Sequence, residues 1–288
     1  MRQGAKIVFA DSESSTPNID AKRIEELISD RTKAIVPVHY AGVACDMDTI
    51  MEIAKRHNLL VIEDAAQAID SYHISKDGTR KALGSIGHMA AFSFHETKNI
   101  IAGEGGMLTI NDQRFNERSE IIWEKGTDRS KFFRGEIDKY GWVDTGSSFL
   151  PSEITAAFLW AQIERLDDIQ QQRLEIWNRY YAGLRDHADR THVTLPYIPT
   201  YATNNAHMFY LVSIDQAHRD RILGHLKADG INAVFHYQSL HRSSFIGNSY
   251  HFNLVRSDGY SSCLMRLPLH CCISVESSQR ILSSLLNS

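Results

Sequence analysis

Two continuous apolar runs, KAIVPVH at 33–39 and LLVIE at 59–63, stand on either side of a stretch with helical spacing at 46–57. A strand apolar at every position has no polar face to give to water, so it must be covered on both sides. Two such strands joined through a helix are parallel neighbours with a right-handed crossover. In the helix between them, Asp46 or Asp48 is the expected N-cap and Asn58 the closing residue. A second helical face is expected over 19–28, through Ile19, Ile24, Leu27 and Ile28, with Asp20 near its start. The run 5–9 and the segments 90–94 and 107–110 read as further strands. The predicted fold class is therefore α/β, a mostly parallel sheet flanked by helices. Ligands of such sheets bind beyond the carboxyl ends of the strands. His39 and Asp64 fall at such ends, and Lys98 follows the one at Phe94.

The second half has a different rhythm. Residues 126–150 are polar, aromatic and punctuated by glycine, which reads as a long functional loop. Pro151 then opens a helix to about 166, and a second helix is expected over 168–187. Strands at 192–195, 208–214 and 231–237, with helices at 217–227 and 275–286, predict a small α/β domain with a partly antiparallel sheet. At about 150 residues per domain, a chain of 288 residues divides into two, expected as 1–167 and 168–288.

The bulk numbers exclude some partners. A net charge of −4 with both signs interspersed offers no basic field for nucleic acid. Cys45, Cys263, Cys271 and Cys272 contain no C-x-x-C pair, so reduced thiols in a cytoplasmic protein are expected. The opening residues have no apolar signal-like core, and no run reaches the roughly 18 apolar residues that span a bilayer, so no membrane partner is expected. His236 and His241, on a strand and a following loop, are not spaced as a metal pair, and no metal is expected.

Three residues carry candidate chemistry. Asp64 ends a buried strand, where a carboxylate is costly unless a cation meets it; a protonated pyridine nitrogen is one such cation, and a helix N-cap is the plainer alternative. Lys98 lies just past a strand end, where an amine can be partly desolvated yet reachable for Schiff-base chemistry, although an isolated lysine is usually a solvated loop residue. Ser93, five residues earlier, can bond a phosphate or simply sit in its strand. The run Gly103–Gly106 lacks a Walker pattern and cradles no phosphate on its own. Each signal is weak singly; an acid-ended strand followed by S-F-H-x-x-K and G-E-G-G is much stronger.

At this level the chain resembles a known family. The runs VPVHYAG (36–42), VIEDAAQA (61–68), GHMAAFSFHETKN (87–99) and GEGGML (103–108) are similar to the DegT/DnrJ/EryC1/StrS sugar aminotransferases. FFRGEIDKYGWVDTGSSF (132–149), AFLWAQIERLD (157–167), NAHMFYLV (205–212), AVFHY (233–237) and MRLPLH (265–270) continue the likeness. It implies the fold-type I architecture of pyridoxal 5'-phosphate enzymes and a nucleotide-linked keto sugar as substrate. Most members have an asparagine-containing G-Y-N motif where this chain has Gly146-Ser147-Ser148. That variant, with SFHETKN, points to the subgroup that makes dTDP-4-amino-4,6-dideoxygalactose from dTDP-4-keto-6-deoxyglucose, for enterobacterial common antigen. The resemblance gives Lys98 the Schiff base and the proton shuttle, Asp64 the pyridine nitrogen, Gln67 the cofactor 3-oxygen and Ser93 the phosphate. His95 receives no role. Glutamate as amino donor and a homodimer, with the 146–148 loop reaching the neighbour's site, are also implied. Loops 126–150 and 238–258 are expected to choose the sugar. Family members begin with several dozen residues not found here, so the expected large domain lacks its N-terminal part, including half the phosphate cup. A truncated homologue with only a binding role is the alternative; a dehydratase of the same superfamily, which has histidine in place of the lysine, ranks below both.

Overall fold

The computed structural model describes residues 4–187, 191–246 and 253–288. Strand β1 (Ala34–Ile35), helix α1 (Met47–Arg56) and strand β2 (Leu60–Asp64) form the expected crossover, with Ala34 opposite Leu60 and Ile35 opposite Val61 in a parallel pair. Helix α1 starts where the Asp46 carboxylate accepts the Thr49 N–H at 3.1 Å, satisfying a donor the helix cannot. It ends before Asn58, whose φ of 51° is left-handed, a conformation asparagine tolerates. Its apolar stripe, Met47, Ile50, Ile53 and Ala54, packs on Ile35 and Val61.

After a hairpin of β3 (Tyr72–Ile74) and β4 (Arg80–Ala82) come β5 (Met89–Ser93) and β6 (Gly106–Ile110). The first sheet has the order β1-β2-β5-β6; its first three strands are parallel and β6 runs antiparallel to β5. It is thus a mixed, mostly parallel α/β sheet, as expected. Two expectations at its start are corrected. The stretch 19–28 forms two 3-10 turns, Ala21–Arg23 and Glu25–Leu27, because its buried residues Ala21 and Ile24 repeat every three positions, the period of that tighter helix. The run 5–9 forms no strand, and Val8 is exposed.

Helix α2 (Asn116–Trp123) precedes the expected loop 126–150, and a short helix α3 (Arg129–Phe133) forms within it. Helix α4 (Glu153–Ile163) is capped by Ser152, which accepts from Thr155 N–H at 3.1 Å, so Pro151 stands before the cap and not in the first turn. Helix α5 (Leu166–Leu184) follows.

The C-terminal elements are β7 (Val193–Thr194), β8 (Phe209–Ser213), α6 (Gln216–Ala228), β9 (Val234–Phe235), α7 (Val255–Cys263), β10 (Leu264–Leu267) and α8 (Val275–Leu286). Their sheet, β7-β8-β10-β9, is wholly antiparallel where a partly antiparallel one was expected. The expected strand 231–237 shrinks to two residues, because its partner β10 is only four residues long. Part of the expected loop 238–258, residues 247–252, lies outside the described residues. Alternation gives this sheet two faces. Phe209, Leu211, Met265 and Leu267 enter a core with Ile176, Tyr180, Ile222, Leu226 and Leu285 of α5, α6 and α8. Met208, Tyr210 and Leu264 turn the other way, against Tyr40 and Ala41 beyond β1.

Below the site sits a fully buried carboxylate. Glu63 accepts Gly84 N–H at 2.8 Å, Ile86 N–H at 2.8 Å and Gly87 N–H at 2.6 Å, and pairs with His39 Nε2 at 3.0 Å. Burial alone would raise its pKa, but His39 and the glycine N–H groups outweigh burial and hold it below the ordinary value. Its stabilisation is therefore complete above the ordinary carboxylate pKa of 4.5 and is lost as pH falls through the depressed folded value. Glu63→Leu strands three backbone donors and is expected to cost about 3–5 kcal/mol, read as a fall in the urea midpoint. It should also flatten the acid limb of stability; an unchanged midpoint would show the network to be dispensable.

Candidate active site

Strand ends bring the predicted residues to one edge. Asp64 closes β2, where its N–H donates to Pro37 O at 2.8 Å and its carbonyl accepts His39 N–H at 3.1 Å. On the other side Ala65 N–H donates to Ala91 O at 2.9 Å, so Ser93 lies two residues further along the parallel neighbour β5. Lys98 follows in the turn after β5, half-buried, near enough to Asp64 to feel its charge. Burial depresses the Lys98 pKa, Asp64 opposes that shift and Arg266 adds to it.

Among the described residues, each of the four predicted side chains keeps an unused polar valence. The Lys98 amine has no hydrogen bond. One Asp64 oxygen accepts Ala66 N–H at 3.1 Å and the other has no protein donor. Gln67 Oε1 takes Ala41 N–H at 2.7 Å, leaving its amide N–H groups unengaged. The Ser93 oxygen receives only a long 3.4 Å contact from His95 N–H, and its own hydrogen has no acceptor. No hydrogen bond among the described residues links Ser93 or Gln67 to Lys98. The arrangement fits a ligand with a cationic ring nitrogen, an electrophilic carbon and an anionic tail, the donor set pyridoxal phosphate requires.

Behind Lys98 is a buried polar node that sequence reading missed. Asn99 donates to Gln170 Oε1 at 2.8 Å and Asn205 O at 2.9 Å, and meets His207 Nδ1 at 2.8 Å. Asn205 in turn donates to the carbonyls of Gln67 and Ile69, both at 2.8 Å. Arg173 bonds the carbonyls of Ala206 and His207 at 3.1 and 2.8 Å. Burial, then the nearby Arg173 and Lys98, push His207 down to about 3, so it is neutral and donates from Nδ1 to Asn99. Gly42 belongs to this node: at φ 76° it packs so closely on the Asn205 amide that a Cβ would overlap it. A run of polar residues in a buried stretch, N-N-A-H at 204–207, was the available signal.

Other candidates fall elsewhere. His95 Nδ1 lies 3.0 Å from Thr97 Oγ1 and its Nε2 3.7 Å from Glu104. His236 meets Tyr40 edge-on at 5.0 Å, whereas His241 bonds Asp258 at 2.9 Å, so the two do not converge. No group of three or more metal-ligating side chains occurs among the described residues. The 146–148 loop folds back on 124–126, with Lys125 N–H on Ser147 O at 3.0 Å. A cleft of about 520 Å³ opens beside Lys98, between Glu96, Arg165, Arg173 and His270; it touches none of Asp64, Gln67 and Ser93, so it neighbours the site without containing it.

The chain is similar to a known family and to several known proteins. A family model described as the DegT/DnrJ/EryC1/StrS aminotransferase family matches residues 1–286. GDP-perosamine synthase of Caulobacter vibrioides is 37% identical over 240 residues, covering 81% of this chain and 60% of that protein. Spore coat polysaccharide biosynthesis protein SpsC of Bacillus subtilis is 37% identical over 185 residues, 63% of this chain and 46% of that one. The chain thus spans about half to three-fifths of the length of these curated relatives. The X-ray structure of DesV from S. venezuelae superposes with a TM-score of 0.87 at 28% identity, over 99% of this chain and 73% of that one.

The electrostatics give a test with opposite signs. Asp64→Asn removes the charge that raises the Lys98 pKa, and Arg266→Met removes one that lowers it. The pH inflection for labelling the Lys98 amine in cofactor-free protein should move down in the first variant and up in the second. Rates at a fixed pH below the inflection should change roughly threefold or more. Movement of both in one direction would contradict this placement of the charges.

Proposed function

The chain belongs to the DegT/DnrJ/EryC1/StrS aminotransferase family, and from that premise we propose that it transfers an amino group from glutamate to a 4-keto-6-deoxy sugar nucleotide, dTDP-4-keto-6-deoxyglucose, with pyridoxal 5'-phosphate as cofactor. One observation carries the reading: a half-buried lysine amine without a hydrogen bond stands near a strand-end carboxylate that also has an open oxygen. Relatives named for GDP-perosamine and for spore coat polysaccharide support a sugar-nucleotide substrate. The variant 146–148 motif supports the dTDP-linked sugar and a place in enterobacterial common antigen synthesis.

When bound, the cofactor supplies the electron sink for the carbanion formed at the substrate carbon. Asp64 would hold the protonated ring nitrogen, Gln67 the 3-oxygen and Ser93 the phosphate. Lys98 would hold the cofactor through its amine and, when free, would move a proton at the substrate carbon. Its depressed pKa suits it to act as a neutral base.

The reading includes a division into a cofactor-carrying part, 1–167, and a smaller part, 168–288, working in the cytoplasm as a homodimer. Helix α4 supports the dimer: Ile154, Phe158 and Trp160 are exposed, 84%, 50% and 64%, and Phe149 and Trp142 ahead of it in the chain are exposed as well. An apolar helix without a buried residue needs a covering partner.

Adding pyridoxal phosphate should produce a visible absorbance band that Lys98→Ala abolishes and glutamate bleaches, with aminated product formed best from dTDP-4-keto-6-deoxyglucose in a panel of keto sugar nucleotides. A band that survives Lys98→Ala would remove that lysine from the assignment. Trp160→Glu should shift the mass measured by light scattering from dimer to monomer; a dimer that persists would point to another interface.

A further inference from the structure

Lys98 stands in the turn 95–103, and its own backbone N–H donates to His95 O at 2.9 Å, within that same turn. Glu96, Thr97 and Glu104, its neighbours in the turn, are exposed. The anchors are the next two residues, Asn99 and Ile100, both buried. Ile100 holds the turn without direction, whereas the bonds of Asn99 are directional. Its Nδ2 donates to Gln170 Oε1 at 2.8 Å and to Asn205 O at 2.9 Å, and its Oδ1 lies 2.8 Å from His207 Nδ1.

The orientation of that amide is forced. Asn205 O is a backbone carbonyl and can only accept, so the atom facing it is the amide nitrogen and the atom facing His207 is the oxygen. His207 must then donate, which puts its proton on Nδ1. Arg173, Lys98 and Arg266, the charged groups that bear most on this ring, are all cationic and keep a second proton off it. The Asn205 side chain completes the link. Its Oδ1 accepts His207 N–H at 3.0 Å, and its Nδ2 donates to Gln67 O and Ile69 O, both at 2.8 Å. Gln67 lies in the turn that follows Asp64, where Asp64 accepts Ala66 N–H at 3.1 Å and Ala68 N–H donates to Ala65 O at 2.9 Å. A continuous chain of buried bonds thus runs from the residue beside the amine to the turn beside the acid.

We propose that Asn99 is a positioning residue that, through His207 and Asn205, fixes the separation between the Lys98 amine and the Asp64 carboxylate. Strand pairing cannot do this by itself. The parallel register of β2 and β5 ends with Asp64 opposite Ala91, seven positions before the lysine (98 − 91). Beyond that pair the polar network carries the alignment onward. The charge of Asp64 opposes the effect of burial on the Lys98 amine, and such an effect weakens with distance, so it reports the separation. The inference rests on the aminotransferase reading for the use made of this pair, and not for its geometry.

Labelling of the Lys98 amine in the full-length, cofactor-free protein reads the separation as a coupling. With Asn99 present, Asp64→Asn should speed labelling about threefold at a fixed pH below the inflection. In Asn99→Ala the same substitution should change the rate less than about 1.5-fold, because the amine is no longer held near the acid. His207→Leu, which removes one bond of the junction, should weaken the coupling in the same way. His207→Gln, whose amide N–H can replace the imidazole donor, should retain it. A purely structural role would lower the urea midpoint of Asn99→Ala and His207→Leu and leave the threefold response to Asp64→Asn intact. That result overturns the proposal, as does His207→Gln behaving like His207→Leu, or no response to Asp64→Asn in the wild type. Should Asn99→Ala fail to fold, the two His207 variants decide by the same criterion. A wild type without a Lys98-dependent absorbance band on adding pyridoxal phosphate would sink the aminotransferase reading alone, since the labelling uses no cofactor.

Discussion

Glu63 is a negative charge taken wholly out of water, and much of the site follows from the way it is satisfied. Its donors come from the segment after β1 through His39 and from the turn before β5 through Gly84, Ile86 and Gly87. A buried carboxylate tolerates that position only when its acceptor capacity is used, so the three segments cannot separate without exposing it. Gly87 permits the approach, since a Cβ there would stand 2.8 Å from Val61 O. Side chains alternate along a strand, so fixing Glu63 to one face of β2 sends Asp64 to the other. The same turn sets where β5 begins, and β5 delivers Ser93 and then Lys98.

A second polar network joins the lysine turn to the C-terminal sheet. Asn99, Asn205, His207 and Gln170 bond one another inside the protein, and Asn205 also reaches the carbonyls of Gln67 and Ile69. The segment after Asp64 and the segment after Lys98 are thereby held by the same residues. Such networks are rigid when every member is satisfied, because the alternative is an unpaired group in a low dielectric. The opposite condition prevails a few residues away, where Tyr40, His236 and Arg266 retain unpaired polar atoms. Satisfied groups build the scaffold here, and the unsatisfied ones are left open to the proposed ligands.

Much of the first sheet was legible in the sequence, because periodicity and capping act locally. The run 59–63 became β2, Asp46 capped α1, and 275–286 became α8. The failures share a cause. Helix α7, with Gly259 and three serines, has weak intrinsic preference and owes its form to packing beside α6 and β10. Strand β10 hides behind the arginine in its middle, and the tight turns at 21–27 hold a spacing easily taken for an α-helix.

The family motifs around Asp64, Ser93 and Lys98 were readable as a string, because strand ends and the turns that follow them are encoded in adjacent residues. Which side chains retain an open valence could not be read in that way. Arg266 lies 168 positions from Lys98 (266 − 98) and bears on it only because strand alternation and the packing of two sheets turn it inward. The sequence alone singled out the acid and the amine. The tertiary structure decided their charge environment, since burial and long-range contacts, not neighbours in the chain, set the cost of every unpaired group.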